Sequence, residues 1–327
     1  DVATGKELLA LQGHLDWISH VAFSPDGNRL ATSSYDGSSK VWDITTGKEL
    51  LTLHEESDGV VALWVIFNPD GSQIATAATE NFQGGWASIW DAKTGQKIMT
   101  LPAQGPAVRS VVFSPDGTRI VTAEDDRTAK VWDASSGKVL LTLYGHTDIV
   151  SDAEFSLDGT RIVTVSGDRQ IKVWNAATGQ ELSTLAGHSD GIWTVSFSPD
   201  SQRIVTASYD NTAKVWSISP TRECLTLVNG PRILNTYGAK LAYSPDGTRL
   251  ATANSDLTPK VWDVTTGKLL FELTGHTDIV TNIVYNARGT QIATTSGDGT
   301  AKIWNAVSGK ELLSFIGHKD AVFGISF

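Results

Sequence analysis

The chain has 327 residues and a formal net charge of −10 at pH 7, with 26 lysines and arginines against 36 aspartates and glutamates. Nucleic acids and anionic membranes would be repelled by such a surface, because both bind proteins mainly through cationic side chains that neutralise phosphates. The single cysteine excludes an internal disulfide and a thiolate zinc site, and no apolar run approaches the roughly 18 residues of a membrane-spanning helix. We therefore expect a cytoplasmic protein without a metal, a cofactor, a nucleic-acid partner or a membrane partner.

Tryptophan recurs at a near-constant spacing along the chain. Seven of the eleven tryptophans close a short apolar stretch, and these are Trp42, Trp90, Trp132, Trp174, Trp216, Trp262 and Trp304. Successive members are 48, 42, 42, 42, 46 and 42 residues apart. The phrase GHTDIV at 145–150 returns at 275–280, three periods later. Tandem periods in this range are typical of propellers and solenoids.

Each period predicts four short strands in chain order. A Gly-His pair precedes the first strand, and the turn SPDG or a relative of it leads to the second, because proline fixes φ and glycine tolerates a positive φ. Further turns such as YDG and TTG lead to the third strand, as in AKVWD, and the fourth, as in KELLTL. Alternating, β-branched segments with these turns indicate antiparallel sheet. We predict one all-β domain over 1–327.

The repeats resemble the WD repeat, which carries GH near one end and WD near the other. A GH pair precedes the tryptophan in four of the seven repeats, and four of the seven tryptophans are followed by aspartate. The resemblance covers the whole chain and implies a seven-bladed β-propeller with four antiparallel strands per blade. The repeats are also similar, more weakly, to propellers appended to large bacterial signalling proteins such as kinases or NTP-driven switches.

Histidine, threonine, aspartate and tryptophan recur at fixed offsets. Complete sets are His14, Thr32, Asp36 and Trp42; His146, Thr164, Asp168 and Trp174; His188, Thr206, Asp210 and Trp216; and His276, Thr294, Asp298 and Trp304. A hydroxyl, an imidazole and a carboxylate could form an acyl-transfer triad, but four identical catalytic centres in one ring argue against that interpretation. The resemblance implies a structural hydrogen-bonded network in each blade, so we predict no catalytic residue.

Three repeats depart from this pattern. Blade two has Asp58 at the histidine position and Glu80 at the turn, blade three has Gln104, and blade six has Leu234. Blades two and six also contain insertions, near ENFQGGW and NGPRILNTYG. Divergence of the repeats explains these changes, but specialised loops are the alternative, because function in rigid scaffolds concentrates on irregular loops.

The two ends of the sequence repeat each other. Residues 1–23 align without gaps with residues 305–327, which gives a circuit of 304 residues and 23 surplus residues. We expect one terminal outer strand to complete the last blade and close the ring, because an open ring would expose sheet edges. An eight-bladed ring would leave one blade without its two middle strands. As the only methionine is Met99, we expect the chain to be a fragment of a longer protein.

The resemblance places recognition on the face that carries the GH loops, three and five positions after the histidine and just before the turn acid. The positions we predict to bind a partner are Trp17, Ser19, Tyr35, Val61, Leu63, Arg109, Asp125, Ile149, Trp193, Tyr209, Tyr237 and Ile279, with Trp86 in an inserted loop. Large aromatics and arginine are typical of binding hot spots. The alternatives are that these rings pack against neighbouring blades and that Arg109 pairs with Asp125.

Three functions remain open. The first, which we favour, is a non-catalytic scaffold that binds a protein or peptide through this loop face. The second is a sensor or autoinhibitory domain of a larger bacterial signalling protein, with its partner in the same polypeptide. The third and most remote is a hydrolase with carboxylates in the channel. The sequence lacks a glycine-rich phosphate loop, a metal-spaced histidine pair and a serine-centred elbow, so we predict that the protein is not an enzyme.

Overall fold

The computed structural model describes residues 9–55, 59–81, 83–218, 221–228, 240–253, 257–318, 320–325 and 327, with only the backbone at 221–224 and 228. Three positions singled out in the sequence, Asp58, Leu234 and Tyr237, lie outside the described residues, as does most of the blade-six insertion.

Seven antiparallel sheets, each of four consecutive strands, make up the fold. The strands of blades one to three are β1 Ile18–Phe23, β2 Arg29–Ser34, β3 Ser38–Asp43, β4 Glu49–His54, β5 Val60–Phe67, β6 Gln73–Glu80, β7 Gly84–Asp91, β8 Lys97–Pro102, β9 Val108–Phe113, β10 Arg119–Glu124, β11 Ala129–Asp133 and β12 Val139–Leu143. Those of blades four and five are β13 Val150–Phe155, β14 Arg161–Ser166, β15 Gln170–Asn175, β16 Glu181–Ala186, β17 Ile192–Phe197, β18 Arg203–Ser208, β19 Thr212–Ile218 and β20 Thr221–Val228. Blades six and seven contain β21 Lys240–Tyr243, β22 Arg249–Ala253, β23 Lys260–Asp263, β24 Leu269–Glu272, β25 Val280–Tyr285, β26 Gln291–Ser296, β27 Thr300–Asn305 and β28 Glu311–Ile316. The predicted seven-bladed, four-stranded β-propeller is confirmed.

The chain divides into two compact units. One spans Leu9–Thr184 and contains blades one to three and nearly all of blade four. The other includes Leu185–Phe327 and contains blades five to seven. Blade seven takes its fourth strand, β28, from its own repeat. Of the two outer strands expected near the ends of the sequence, the later one therefore completes the last blade.

The turn SPDG joins the first and second strands of a blade through its own side chains. In blade one the Gly27 N–H donates to the Ser24 carbonyl at 2.8 Å, and Gly27 has a φ of +70° that a β-carbon would disfavour. The Ser24 hydroxyl accepts the Arg29 N–H at 2.9 Å, and Asp26 accepts the Asn28 N–H at 3.1 Å. The serine and aspartate thus satisfy backbone groups that the hairpin leaves without partners.

Apolar side chains pack between consecutive sheets. In the cluster between blades one and two, Leu53 and Val41 of the first blade meet Phe67 and Trp90 of the second. The third strand of blade one buries five of its six side chains, whereas the fourth buries one and exposes three. This difference indicates a sheet sandwiched between neighbours at its centre and open to solvent at its outer edge.

An arginine at the start of the second strand connects a blade to the next one. Arg119 of blade three donates to the carbonyls of Ala176 at 2.5 Å and Gly159 at 3.1 Å, both in blade four, and its guanidinium lies 5.4 Å from the Phe155 ring. Arg29 makes the same connection from blade one to blade two. Blade seven has Gln291 at this position.

Candidate interaction surface

A directed chain of hydrogen bonds connects the tryptophan of blade one to its turn acid. Trp42 Nε1–H donates to the Thr32 hydroxyl at 2.9 Å, and that hydroxyl lies 2.8 Å from His14 Nε2. His14 Nδ1 lies 2.9 Å from Asp36 Oδ2. The Asp36 carboxylate can only accept, so His14 donates from Nδ1, and a neutral imidazole then accepts the Thr32 hydroxyl proton at Nε2. The neutral imidazole therefore fits this network.

The structure brings together the members of all four predicted tetrads with nearly the same distances. The corresponding bonds of blades four, five and seven fall between 2.8 and 2.9 Å. The acid also accepts the backbone N–H after the histidine, as Asp36 does from Leu15 at 2.8 Å. Each network thus holds the GH loop against the turn between the second and third strands, and it fixes the backbone on which the predicted binding residues lie.

These networks shift the pKa of their acids. Burial would raise the pKa of Asp168, but hydrogen bonds from His146 and from the Thr147 and Gln170 amides outweigh it and lower that pKa to about 2. Asp36 has a pKa of about 2 for similar reasons. Burial, opposed by the Asp298 carboxylate, lowers the pKa of His276 below its ordinary value.

We expect the propeller to lose stability on acidification. The lowered pKa values of Asp36 and Asp168 contribute stability that is complete above the unfolded pKa of about 3.9 and lost as the pH falls towards 2. The lowered pKa of His276 acts in the same direction below pH 6.5. Urea unfolding should give a free energy that falls between about pH 4 and pH 2, by on the order of 1 kcal/mol per network after solvent screening. A free energy that rises as the pH is lowered through this range would contradict the ionised carboxylates of the networks.

Blade one presents an exposed apolar cluster beside its network. The relative exposure is 93% for Leu15, 52% for Trp17 and 41% for Tyr35, and Ile18 is also exposed. The Trp17 and Tyr35 rings meet edge to face with centroids 6.2 Å apart, and the Tyr35 N–H donates to the Trp17 carbonyl at 2.8 Å. We name Leu15, Trp17, Ile18 and Tyr35 the blade-one patch.

Blade five repeats the aromatic pair in a more buried form. The Trp193 and Tyr209 ring centroids lie 5.6 Å apart at an interplanar angle of 73°. Both side chains are half-buried, and the Tyr209 N–H donates to the Gly191 carbonyl at 3.0 Å.

The other predicted binding residues fall into two groups. The half-buried apolar ones are Val61, Leu63, Ile149 and Ile279. The polar ones are engaged within the protein. Arg109 donates to both Asp125 oxygens, at 2.6 and 2.9 Å, and the Ser19 hydroxyl donates to the Ala62 carbonyl of blade two at 2.6 Å. Ser19, Arg109 and Asp125 therefore already have partners inside the propeller.

The blade-two insertion lengthens a hairpin rather than forming an irregular loop. Strands β6 and β7 each have eight residues, and Trp86 is half-buried opposite Pro102 in the sheet. Gly85 exchanges backbone bonds of 3.1 Å with Ala103 and Gly105, and a β-carbon at Gly85 would approach Ala107 at 2.5 Å. The start of β7 at Gly85 thus rests on the loop that enters blade three.

Blade three replaces the histidine network with a buried ion pair. Glu124 is fully buried, accepts the Thr122 hydroxyl at 2.8 Å and pairs with Lys130, which also contacts Asp126 at 3.0 Å. Trp132 keeps its bond to Thr122 at 2.9 Å. Blade three therefore keeps the hydrogen bond from Trp132 to Thr122, but the ion pair of Glu124 and Lys130 replaces the histidine and aspartate of the other networks.

Sequence reasoning missed three residues of this surface, namely Leu15, Ile18 and Asp16. Leu15 and Ile18 flank Trp17 in the blade-one patch, and the run LDWI after GH was a signal that could have identified them. Asp16 is exposed and accepts the Trp17 N–H at 2.7 Å. Asp148 and Asp278 hold the same position in blades four and seven. In blades one, four and seven, an aspartate thus directly precedes the apolar residue that we predict to bind a partner.

Across the part of the chain that the structure describes, no cluster of three or more histidine, cysteine, aspartate or glutamate side chains could hold a metal ion. The same residues include no helix with the length and hydropathy needed to cross a membrane.

Comparison with known proteins identifies the family. The family model described as "WD domain, G-beta repeat" matches residues 5–43, 95–133, 137–175, 179–217, 239–263 and 267–305. The chain belongs to the WD-repeat family. Propellers of this family generally act as non-enzymatic scaffolds for protein interactions. The matched segments leave out 44–94, where blade two departs from the WD pattern.

Individual WD-repeat relatives match parts of the propeller. WD repeat-containing protein SL1-17 of Schistosoma mansoni is 35% identical over 130 residues, which are 40% of this chain and 41% of that protein. Eukaryotic translation initiation factor 3 subunit I of Pyricularia oryzae is 40% identical over 120 residues, covering 36% of this chain and 33% of that one. Small ribosomal subunit protein RACK1y of Oryza sativa subsp. japonica is 34% identical over 117 residues, covering 35% and 33%. The chain thus spans well under half the length of each relative.

Proposed function

We propose that this WD-repeat propeller is a non-catalytic platform that binds a protein or peptide, with the blade-one patch as a principal contact. The observation that carries the proposal is that Leu15, Trp17 and Tyr35 are exposed beside one another, on the GH loop and on the turn after β2, which the backbone bond from Tyr35 to Trp17 joins. Contiguous exposed apolar side chains mark interaction sites, and tryptophan and tyrosine are the residues most enriched in binding hot spots. Trp193 and Tyr209 offer a second aromatic contact on blade five.

The relatives support a role in assemblies. Two of them are named as a translation initiation factor subunit and a small ribosomal subunit protein, and both names describe parts of larger complexes. The same names are our reason for proposing a cytoplasmic location. The same surface would serve a sensor or autoinhibitory domain whose partner lies in the same polypeptide, and this is the second form of the proposal.

A pull-down from source-cell lysate tests the platform. We expect the native propeller to retain a protein that the Trp17→Ala/Trp193→Ala/Tyr209→Ala variant loses, because truncated hot-spot aromatics commonly cost 2 kcal/mol or more, about thirtyfold in affinity. A Leu157→Ala/Val307→Ala variant is the matched control, since both side chains are exposed and lie outside the loops of the predicted binding face. Circular dichroism must show all three proteins to be folded.

The outcomes separate the two forms of the proposal. Loss of the captured protein from the aromatic variant alone supports the platform and assigns the contact to at least one of the three substituted aromatic residues. Equal capture by all three proteins contradicts the assigned face. If the native propeller captures nothing, a free partner is contradicted and the partner within the same polypeptide takes precedence.

A further inference from the structure

The blade-one patch combines exposed aromatic rings with an exposed carboxylate. Asp16 lies between Leu15 and Trp17 in the sequence and is exposed. Its Oδ1 accepts the Trp17 N–H at 2.7 Å, which holds the carboxylate beside the backbone that carries the indole. Its Oδ2 has no hydrogen-bond partner among the residues that the structure describes. One oxygen of Asp16 can therefore accept a hydrogen bond from a molecule outside the propeller.

A second carboxylate adds negative charge behind the patch. Asp36 follows Tyr35 in the sequence, and its low pKa of about 2 keeps it ionised at neutral pH. Its Oδ2 already accepts the Leu15 N–H and lies 2.9 Å from His14 Nδ1, and its Oδ1 accepts the N–H and the hydroxyl of Ser38. Asp36 therefore contributes to the electrostatic field at the patch rather than a direct bond to a partner.

The loop and the turn that form the patch contain no lysine or arginine in 13–18 or in 34–38. Lys40 reaches the start of the loop, where its Cε lies 3.6 Å from the position of a β-carbon on Gly13. Its ammonium donates to the Glu49 carboxylate and to the Thr52 hydroxyl, both at 2.9 Å, so its charge is compensated within the blade. The patch is therefore negative on a chain whose net charge is −10, and this field favours a cationic partner.

The aromatic rings and the carboxylate together select the kind of cation. A cation is attracted to the face of a tryptophan or tyrosine ring, and both rings of the Trp17–Tyr35 pair are exposed. A guanidinium can stack on a ring and also donate two N–H groups to a carboxylate, whereas an ammonium is a strongly hydrated point charge. Leu15 and Ile18 flank this pair of groups in the sequence and expose apolar surface, which favours apolar side chains next to the cation.

We propose that the blade-one patch binds a peptide segment of a partner protein in which an arginine lies between apolar side chains, with the guanidinium on the aromatic pair and bonded to Asp16. This inference rests on the proposed function and adds the chemistry of the partner. Charge complementarity decides the occupant. A neutral apolar segment would cover the Asp16 carboxylate without a partner for it, which is unfavourable, and an acidic segment would be repelled.

Fluorescence anisotropy with the labelled peptide Ser-Leu-Arg-Leu-Ser tests the arginine. The comparison peptide has citrulline in place of arginine, which keeps nearly the same shape without the charge. We expect the arginine peptide to bind the native propeller about fivefold or more tightly at low salt, and we expect this preference to shrink as salt is added, because exposed charge pairs are screened. This comparison needs no variant of the protein, so it does not depend on the folding of one.

Asp16→Asn assigns the preference to the carboxylate. The amide oxygen can still accept the Trp17 N–H, so the loop is retained. We expect the arginine peptide to bind this variant about fivefold more weakly and the citrulline peptide to bind it equally well. Asp148→Asn is the matched control, because Asp148 holds the same repeat position in blade four and accepts the Ile149 N–H at 2.7 Å, but isoleucine follows it instead of tryptophan. The control should leave both affinities unchanged.

The outcomes separate this inference from the proposed function. Equal affinity of the native propeller for the two peptides would overturn the arginine, and weaker binding of both by Trp17→Ala would then still support the platform. Equal effects of Asp16→Asn and Asp148→Asn would also overturn the inference, since net charge alone would explain the preference. Failure of both peptides to bind would overturn it as well, whereas capture of a protein in the pull-down would still support the platform.

Discussion

Replacement of Trp174 by alanine is expected to lower the free energy of unfolding by about 3–5 kcal/mol, the usual cost of truncating a buried tryptophan. Trp174 is buried in the core between blades three and four, where it packs with Val131 and Phe155. Its Nε1–H donates to Thr164 at 2.9 Å. The substitution therefore opens a cavity and also removes the first bond of the network that holds His146 and Asp168.

Chemical denaturation followed by circular dichroism measures this loss. Trp17→Ala is the matched control, because it removes the same side chain from an exposed position outside any tetrad. We expect the control to change the free energy of unfolding by less than about 1 kcal/mol, as is usual for exposed positions away from such features. An unchanged free energy of unfolding in Trp174→Ala would contradict the anchoring role of the tetrad tryptophan.

Features that depend on a single repeat could be predicted from the sequence. The tryptophan period predicted the sheets, because each third strand must bury one indole whose N–H needs a partner. The offsets of His14, Thr32 and Asp36 predicted the network, because identical spacing in a repeat places identical side chains together. Both predictions depend only on residues within one repeat. The histidine–threonine bond is present in each of the four repeats that contain the complete tetrad.

The sequence could not predict which of the proposed binding residues are exposed and which are paired within the protein. Both properties depend on contacts with other parts of the fold, and the spacing of residues in the repeat does not specify those contacts. Trp17 and Ser19 were both predicted as binding residues from their distance to the histidine. Trp17 is exposed, however, while Ser19 bonds to the next blade. Arg109 was predicted to bind a partner, with pairing to Asp125 as the alternative, and the structure shows the pair. The register between neighbouring blades determines these differences, and a single repeat does not specify it.

The buried ion pair of blade three could not be predicted from the sequence. In blade one Lys40 pairs with Glu49 of the fourth strand at 2.9 Å. Blade three has Val139 at the position of Glu49, and its lysine, Lys130, turns to Glu124 instead. Glu124 occupies the place of a serine in blade one. The loss of a glutamate at position 139 is thus compensated by the gain of one at position 124, because either residue supplies a carboxylate for the lysine. The sequence alone does not show this relation, since it depends on how the strands pair.

Glu124→Leu is expected to lower the free energy of unfolding by about 3 kcal/mol, because removal of one partner leaves a buried charge uncompensated. The value lies at the low end of the usual range since Asp126 still contacts Lys130 at 3.0 Å. The double variant Glu124→Leu/Lys130→Met removes both charges and keeps the apolar volume. We expect it to recover to within about 1 kcal/mol of the native protein, as replaced buried ion pairs often do.

Urea denaturation of the native, single and double variants measures this coupling. Glu49→Leu in blade one is the control, and it should cost no more than about 1 kcal/mol because the Glu49 carboxylate is partly exposed. The pH dependence adds a second readout. Burial raises the pKa of Glu124, so its contribution to stability is present at low pH and is lost as the pH rises, opposite in sign to that of Asp168. A double variant as unstable as the single one would show that Glu124 acts through Thr122 and Trp132 rather than through Lys130.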